Sequence, residues 1–512
     1  MTERGGRRLA GSYLLGVDIG TYSSKGVLVS ETGQVLAASV AEHSLSIPGP
    51  GRAEHDAEAV WFGDFCAICR ELLSAADARR IAAIGISTIS PAVVALDGSG
   101  AALRPAILYG IDTRATREIA EIEEATGVRL SSQAAAPKVL WIRRNEPEVW
   151  ARTKRIVNGS GFLVLRLTGE NTIDVYDAAG FSPFFEADPP RWSTELASLI
   201  APVEMMPRPT WTHEVAGRVT AQAARETGLA AGTPVITGTA DAAAEAISAG
   251  LTAVGDLMVM YGSSTFFILR TRELLQPRRF WGTRFLAPGT YVVTGGTATA
   301  GSLTRWFRDE IGHPETAVEK AGGANAYEAL AALAASSPPG ARGLVMLPYF
   351  SGERTPLNDP EAKGMVFGLS LSHSRADLYR ALLESVGYSI RHNIEALAEE
   401  GCRPRRIFAV GGGTRNPLWM RIVSDIAGIS QFIPEQQIGA SYGDAFLAGL
   451  GVGLFAGLAD AGNWVRLKEP VRPDLLTHVS YEGYYRLYRD LYDRNAESMR
   501  RLGALARGER AV

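Results

Sequence analysis

Two aspartates stand where this chain can do acid–base or metal chemistry. The first, Asp18, closes the apolar run of LLGVDIGTYSSKGVLV, after which Gly20, Thr21, Ser23 and Ser24 turn the chain toward Lys25 and a second apolar strand. Glycine permits the tight turn, the hydroxyls and N–H groups of such a turn can face phosphate oxygens, and a carboxylate at the strand end can hold a hydrated Mg²⁺. An ordinary hairpin turn has the same pattern. The second, Asp241, follows an apolar strand and a Gly238-Thr239 turn in TPVITGTADAAAEAISAG, where an Ala-rich helix begins. It reads either as an N-cap or first-turn acid complementing the helix dipole, or as a general base accepting a proton from an attacking hydroxyl.

Three later stretches can also meet a ligand. GDLMVMYGSSTFFIL, Gly255 to Leu269, repeats the strand, small-residue turn and strand of the opening; two such hairpins can clamp a nucleotide from both sides. VVTGGTATAGSLTRWFRDEIG and RRIFAVGGGTRNPLWMRIVSDIAG each read as strand, glycine-rich loop and helix. Their backbones can approach a ligand closely, and N–H groups at a helix start favour anionic or polar atoms; tight strand–helix packing explains the same glycines. No G-x-x-x-x-G-K-S/T occurs, so a nucleotide site here is not a Walker loop.

These motifs need a scaffold of interleaved strands and helices, as in an α/β protein. The opening hairpin is followed by a strand-like segment, Val35 to Val40, a helix over 57–75, and a strand, loop and short strand in RIAAIGISTISPAVVALDGSG. At 512 residues the chain exceeds one compact core, so two large domains are expected. The expected divisions are a tail at 1–11, an N-terminal domain at 12–248, a C-terminal domain at 249–482, and a C-terminal helix and tail at 483–512. Tyr484, Tyr488, Leu491 and Tyr492 recur at helical spacing and read as packing residues.

A formal charge of −3 gives no basic excess for nucleic acid, and no apolar run approaches a membrane span, so a cytoplasmic protein with no membrane or nucleic-acid partner is expected. Cys66 and Cys69 form a lone C-x-x-C on an amphipathic helix without a second ligand pair, and the seven histidines show no ligand spacing. Metal binding is therefore expected to use carboxylate, water and phosphate.

The order of these motifs, from about Tyr13 to Tyr492, resembles the FGGY carbohydrate kinases of the sugar kinase, Hsp70 and actin superfamily. PYFSGERTPLNDPEAKGMVFGL resembles the xylulokinase branch, and KVLWIRRNEPEVW, RLTGE and GLSLSHSRADLYRALLESVGYSI are similar to family segments. The resemblance implies two actin-like (ribonuclease H-like) α/β domains, each a mixed sheet flanked by helices, with ATP and sugar in a cleft between them. It implies Mg²⁺ near Asp18, terminal phosphates around Gly20, Thr21, Ser23 and Lys25, and Asp241 as catalytic base. It also assigns Gly262 and Ser263 to a second phosphate motif, Gly301 and Arg305 to nucleotide contacts, and Gly412, Gly413 and Asn416 to the adenosine motif. The partners implied are a small sugar and ATP, and a homodimer is compatible with the family.

The departures fall on the sugar side. Where typical xylulokinases read S-G-Q-M-H-G, this chain has Ser87-Thr88-Ile89-Ser90-Pro91-Ala92; W-N-D-x-R becomes Tyr109-Gly110-Ile111-Asp112-Thr113-Arg114; and a typical Asp is replaced by Gly161. Ser90, Tyr109, Asp112, Arg114 and Asp241 are the candidate sugar contacts, with Asp112 and Arg114 equally readable as a structural pair. A ketose, polyol or sugar acid is expected as substrate, and xylulose itself is in doubt. An actin- or Hsp70-like ATPase and a non-catalytic sugar sensor on the same fold are the alternatives.

Overall fold

The computed structural model describes residues 12–508, so the expected tail at 1–11 lies outside them. The chain divides into two compact units. The first comprises residues up to Thr252 together with Thr283–Thr290 and Ile438–Val465; the second comprises Ala253–Gly282, Tyr291–Gln437 and the chain from Arg466. The chain thus crosses between units more often than the single expected crossing at 249, because a late apolar helix, Ala440–Gly451, packs on the opening strands.

A seven-stranded mixed sheet supports the first unit. Tyr13–Ile19 pairs antiparallel with Ser23–Ser30, which pairs antiparallel with Val35–Glu42; on its other edge Tyr13–Ile19 runs parallel to Ile81–Thr88. Tyr13–Ile19 and Ile81–Thr88 are covered on both faces, which is why they read as nearly unbroken apolar runs rather than alternating ones. On one face lies Gly63–Leu73, burying Phe65, Cys66, Ile68, Cys69 and Leu72. On the other lies Ala440–Gly451. Its close seat depends on Gly16 and Gly85, register partners on adjacent strands. A Cβ at Gly16 would fall 1.9 Å from the Ser441 carbonyl oxygen, and one at Gly85 would fall 2.1 Å from that of Asp444.

The second unit repeats the pattern. Asp256–Tyr261 pairs antiparallel with Thr265–Thr271, which pairs antiparallel with Tyr291–Thr297, while Arg406–Val410 runs parallel to Asp256–Tyr261 on its free edge. Arg375–Glu399, Pro417–Ala427 and the C-terminal helix Leu475–Ala506 supply much of its core. The last helix begins earlier than the expected 483, at an Asp474 cap whose carboxylate accepts the Thr477 N–H. Tyr481, Tyr485, Tyr488 and Leu491 form its buried face, whereas Tyr484 and Tyr492 are only partly buried.

The xylulokinase-like segment around Glu353 braces the second unit's glycine loop. Glu353 accepts the Ala298 and Arg354 N–H groups at 2.7 and 2.8 Å and the Ser389 hydroxyl at 3.2 Å, and burial raises its pKa to about 7. Among the described residues no helix is long and apolar enough to cross a membrane.

Candidate active site

The first unit brings several buried carboxylates together near Lys25. Asp18 lies one pair before the end of the opening hairpin, opposite Lys25, and in register with Ser87 on the parallel strand. Burial raises the Asp18 pKa, while Lys25 and the Ser87 hydroxyl pull it down. Asp241 opens the helix Asp241–Ser248 without capping it: the N-cap position is Ala240, and Asp241 accepts only its neighbour's N–H, from Ala242 at 2.7 Å. Its pKa is pushed well up, chiefly by burial and then by the charge of Asp18, with Asp177 and Glu245 adding to it. Glu245, one helical turn on, is raised to about 7 by burial and Asp18, against the pull of Lys25.

A second group of acids adjoins Asp241. Asp174 caps the short helix Val175–Ala178 and accepts hydroxyl hydrogen bonds from Thr212 at 2.9 Å and Thr239 at 2.8 Å. Asp177 accepts from Ser90 and from the Asn158 amide. Burial is the largest cause raising both pKa values, and the Asp177 charge adds to the shift of Asp174. Tyr176, between them in sequence, packs edge-on against Phe285 at 5.8 Å.

The turn itself is braced from behind. The Gly20 N–H donates to the Ser23 carbonyl at 3.0 Å, and the Thr21 and Tyr109 hydroxyls share a hydrogen bond at 3.1 Å. His43 Nε2–H donates to the Gly20 carbonyl at 3.1 Å, and its Nδ1 lies 2.8 Å from Asp64, which also accepts the Ser24 hydroxyl at 2.7 Å. Ser23 and Lys25 lie on the outgoing strand, both half-buried.

Asp112 and Arg114 are engaged with protein: the guanidinium pairs with both Asp112 oxygens and with Glu54 at 2.7 Å, and Asp112 also accepts the Ala53 N–H at 2.7 Å. Arg104 joins the same Glu54 at 2.5 Å, and the Arg114 guanidinium lies 4.9 Å from the Trp141 ring centroid. A carboxylate and a guanidinium two residues apart satisfy each other once buried. At Gly161 a side chain has no room, because a Cβ would fall 2.5 Å from Asn158 Oδ1 and 2.7 Å from the Thr172 carbonyl.

In the second unit, Gly262 and Ser263 form the turn after Asp256–Tyr261, and Gly301 begins the helix Gly301–Glu310, on which Arg305 is exposed. These helix-start N–H groups are engaged within the protein. Ala300 and Ser302 donate to the Ser263 carbonyl at 2.9 Å, and Gly301 donates to the Gly262 carbonyl at 2.9 Å. The turn caps the helix because its carbonyls lie where the helix's first donors point. In the other loop, Gly412 has open space where a Cβ would stand, Gly413 is held small by Tyr261 and Trp419, and Asn416 caps Pro417–Ala427 by accepting the Trp419 N–H at 3.0 Å.

Sequence reasoning missed Ser87, Asp174, Tyr176, Asp177, Glu245, Asp444 and the His43–Asp64 pair as parts of this site. Glu245 was readable as the residue one turn beyond Asp241, and Asp444 as the lone acid in the apolar helix ASYGDAFLAGLG, since acids are rarely fully buried without a reason.

The solved structure of xylulose kinase from Rhodospirillum rubrum matches with a TM-score of 0.86 at 34% identity, covering 96% of this chain and 100% of that one. The xylulose kinase of Klebsiella pneumoniae is 30% identical over 86% of this chain and 90% of its own length. The gluconokinase of Bacillus subtilis (strain 168) is 28% identical over 87% of this chain and 88% of its own. Residues 13–248 match the N-terminal domain, and 257–452 the C-terminal domain, of the FGGY family of carbohydrate kinases. The chain belongs to that family, and it is a sugar kinase, a phosphotransferase with an alcohol acceptor.

Proposed function

We propose that this kinase transfers the γ-phosphoryl group of ATP to a hydroxyl of a ketose, polyol or sugar acid, with Asp241 as general base, in the cytoplasm where ATP is drawn. The observation that carries the reading is the setting of Asp241: half-buried, relieved of any capping duty, and surrounded by carboxylates that make it a stronger proton acceptor than a surface aspartate. Asp241 would orient the acceptor hydroxyl and take its proton as the oxygen attacks phosphorus. Ser90, Tyr109, Tyr176 and Asp177 would line the acceptor side, where Asp177 already gathers hydrogen bonds from Ser90 and Asn158.

A magnesium ion fits the residues present. Asp18 offers hard carboxylate oxygen beside Asp241 and Glu245, whose negative charge a cation would relieve. Among the described residues no three His, Cys, Asp or Glu side chains converge as a ready-made ligand set. That suits an ion held mainly by waters, phosphate oxygens and one carboxylate. When bound, the ion would neutralise phosphate charge. Gly20, Thr21, Ser23 and Lys25 would face the terminal phosphates, with Gly262, Ser263, Gly301, Arg305, Gly412, Gly413 and Asn416 serving the nucleotide.

The test is ATP consumption over a panel of pentuloses, hexuloses, polyols and aldonates. The altered segment Ser87 to Ala92 predicts that some member other than D-xylulose has the higher kcat/KM, because Pro91 offers no side-chain hydrogen bond where the related pattern has His. D-xylulose clearly best would overturn that preference, and no sugar-dependent ATP use with any member would overturn the kinase assignment to these substrates.

A further inference from the structure

Asp18 and Asp444 share a single hydroxyl. Ser87 Oγ lies 3.1 Å from Asp18 Oδ1 and 2.7 Å from Asp444 Oδ2, and all three side chains are buried. A serine hydroxyl carries one proton and can donate it to one of these oxygens only. The other contact needs a proton from the carboxyl group itself, so one of the two acids is neutral. The surroundings select Asp444. It is 1% exposed, and its second oxygen, Oδ1, is buried without a hydrogen-bond partner. An ionised oxygen left so would carry the full cost of lost solvation, whereas the carbonyl oxygen of a neutral acid carries much less. Asp18 instead has Lys25 as its register partner.

We infer that Asp444 is a positioning residue for phosphoryl transfer: as a neutral acid it donates to Ser87, whose hydroxyl donates to Asp18 and holds that carboxylate in one orientation. The chain of donors is possible because Gly16 and Gly85 let the helix Ala440–Gly451 rest on the strands that carry Asp18 and Ser87. This rests on the proposed role of Asp18 beside the metal–nucleotide complex.

The experiment compares Asp444→Asn, whose amide N–H can replace the donated hydrogen bond, with Asp444→Leu, which fills similar space and donates nothing. Magnesium titrations of activity, calorimetric binding of Mg²⁺·ADP and thermal melting are read for both. The asparagine variant is expected within about 3-fold of wild type, whereas the leucine variant weakens Mg²⁺·ADP binding and Mg²⁺-dependent turnover about 10–100-fold, as lost outer-shell partners do, with sugar KM unchanged. Equal damage in both variants would mean that Asp444 acts as an anion, and full activity in the leucine variant would mean that it positions nothing; either overturns the inference. If Asp444→Leu does not fold, Ser87→Ala against Ser87→Thr asks the same question from the middle of the chain, and hydroxyl-dependent Mg²⁺·ADP binding is the supporting result. Asp18→Asn separates the two readings: an unchanged magnesium requirement there overturns the role of Asp18. A magnesium-impaired Asp18→Asn beside a fully active Asp444→Leu overturns only the role of Asp444.

Discussion

The two hairpins share a topology and differ in what they carry. In each unit the hairpin's first strand has a parallel neighbour on one side, and a third strand extends the antiparallel ladder on the other. One pair before the end, the first hairpin sets Asp18 against Lys25, while the second sets Met260 against Phe266. Beyond the strands the first turn is surrounded by carboxylates, and the second is tied by its own carbonyls to the start of Gly301–Glu310. One scaffold thus serves two kinds of work: the first hairpin handles charge, and the second shapes backbone. The difference lies in which residues surround each turn.

The sharpest way to break this contrast is Asp241→Asn. Its loss as proton acceptor is expected to lower sugar-dependent turnover by about 10²–10⁴-fold, with calorimetric nucleotide binding nearly unchanged. Near-wild-type turnover would remove the base from the first unit and with it the division of labour.

Gly85→Ala addresses how the acid-rich site is built. Its Cβ would fall 2.1 Å from the Asp444 carbonyl oxygen, so helix or sheet must shift, at about 1–3 kcal/mol of stability. A lower melting temperature is expected, together with weaker Mg²⁺·ADP binding. In the second unit Gly412→Ala meets nothing and is expected within about 0.5 kcal/mol of wild type. Equal melting temperatures for the two variants would show that the close helix seat is not what holds the first site.

Glu245→Gln tests the crowding of charge by its pH dependence. The folded pKa of Glu245 is raised from 4.5 to about 7, so the folded protein holds this proton more tightly than the unfolded chain does. Its favourable contribution is full below pH 4.5 and is lost as pH rises through about 7, a penalty on the order of 3 kcal/mol at higher pH. The glutamine variant is therefore expected to gain stability over wild type at pH 8 and little at pH 4. Parallel denaturation curves at both pH values would argue against repulsion among the acids.

Asn416→Ala is the smallest effect. Loss of the cap on Pro417–Ala427 is expected to cost about 1 kcal/mol, read by denaturant unfolding, and any larger fall in nucleotide affinity would mark a ligand contact beyond the cap.

Much of the scaffold could be read in advance because it rests on local chemistry. Both hairpins follow from buried apolar strands interrupted by small-residue turns, and the helix over Asp241–Ser248 follows from its alanines. The two central aspartates, Asp18 and Asp241, stood out because each ends an apolar strand or the turn after one. Other residues could be placed only by contacts distant in sequence. Asp112 and Arg114 have types suited to sugar hydroxyls, but burial beside Glu54 gave them each other as partners. The donors at the start of Gly301–Glu310 looked free for an anion until the turn at Gly262 and Ser263 occupied them.

By itself, the sequence determined the strands, the turns and the acids at their ends, since backbone preference and apolar patterning act over a few residues. The tertiary structure alone decided that Asp444 meets Ser87, 357 positions away along the chain. It also decided that Asp18 raises the proton affinity of Asp241 and of Glu245, and that Glu245 adds to that of Asp241. The Asp444–Ser87 contact depends on how closely Ala440–Gly451 can approach the first sheet, a distance set by the missing side chains of Gly16 and Gly85 and by no local preference of either segment.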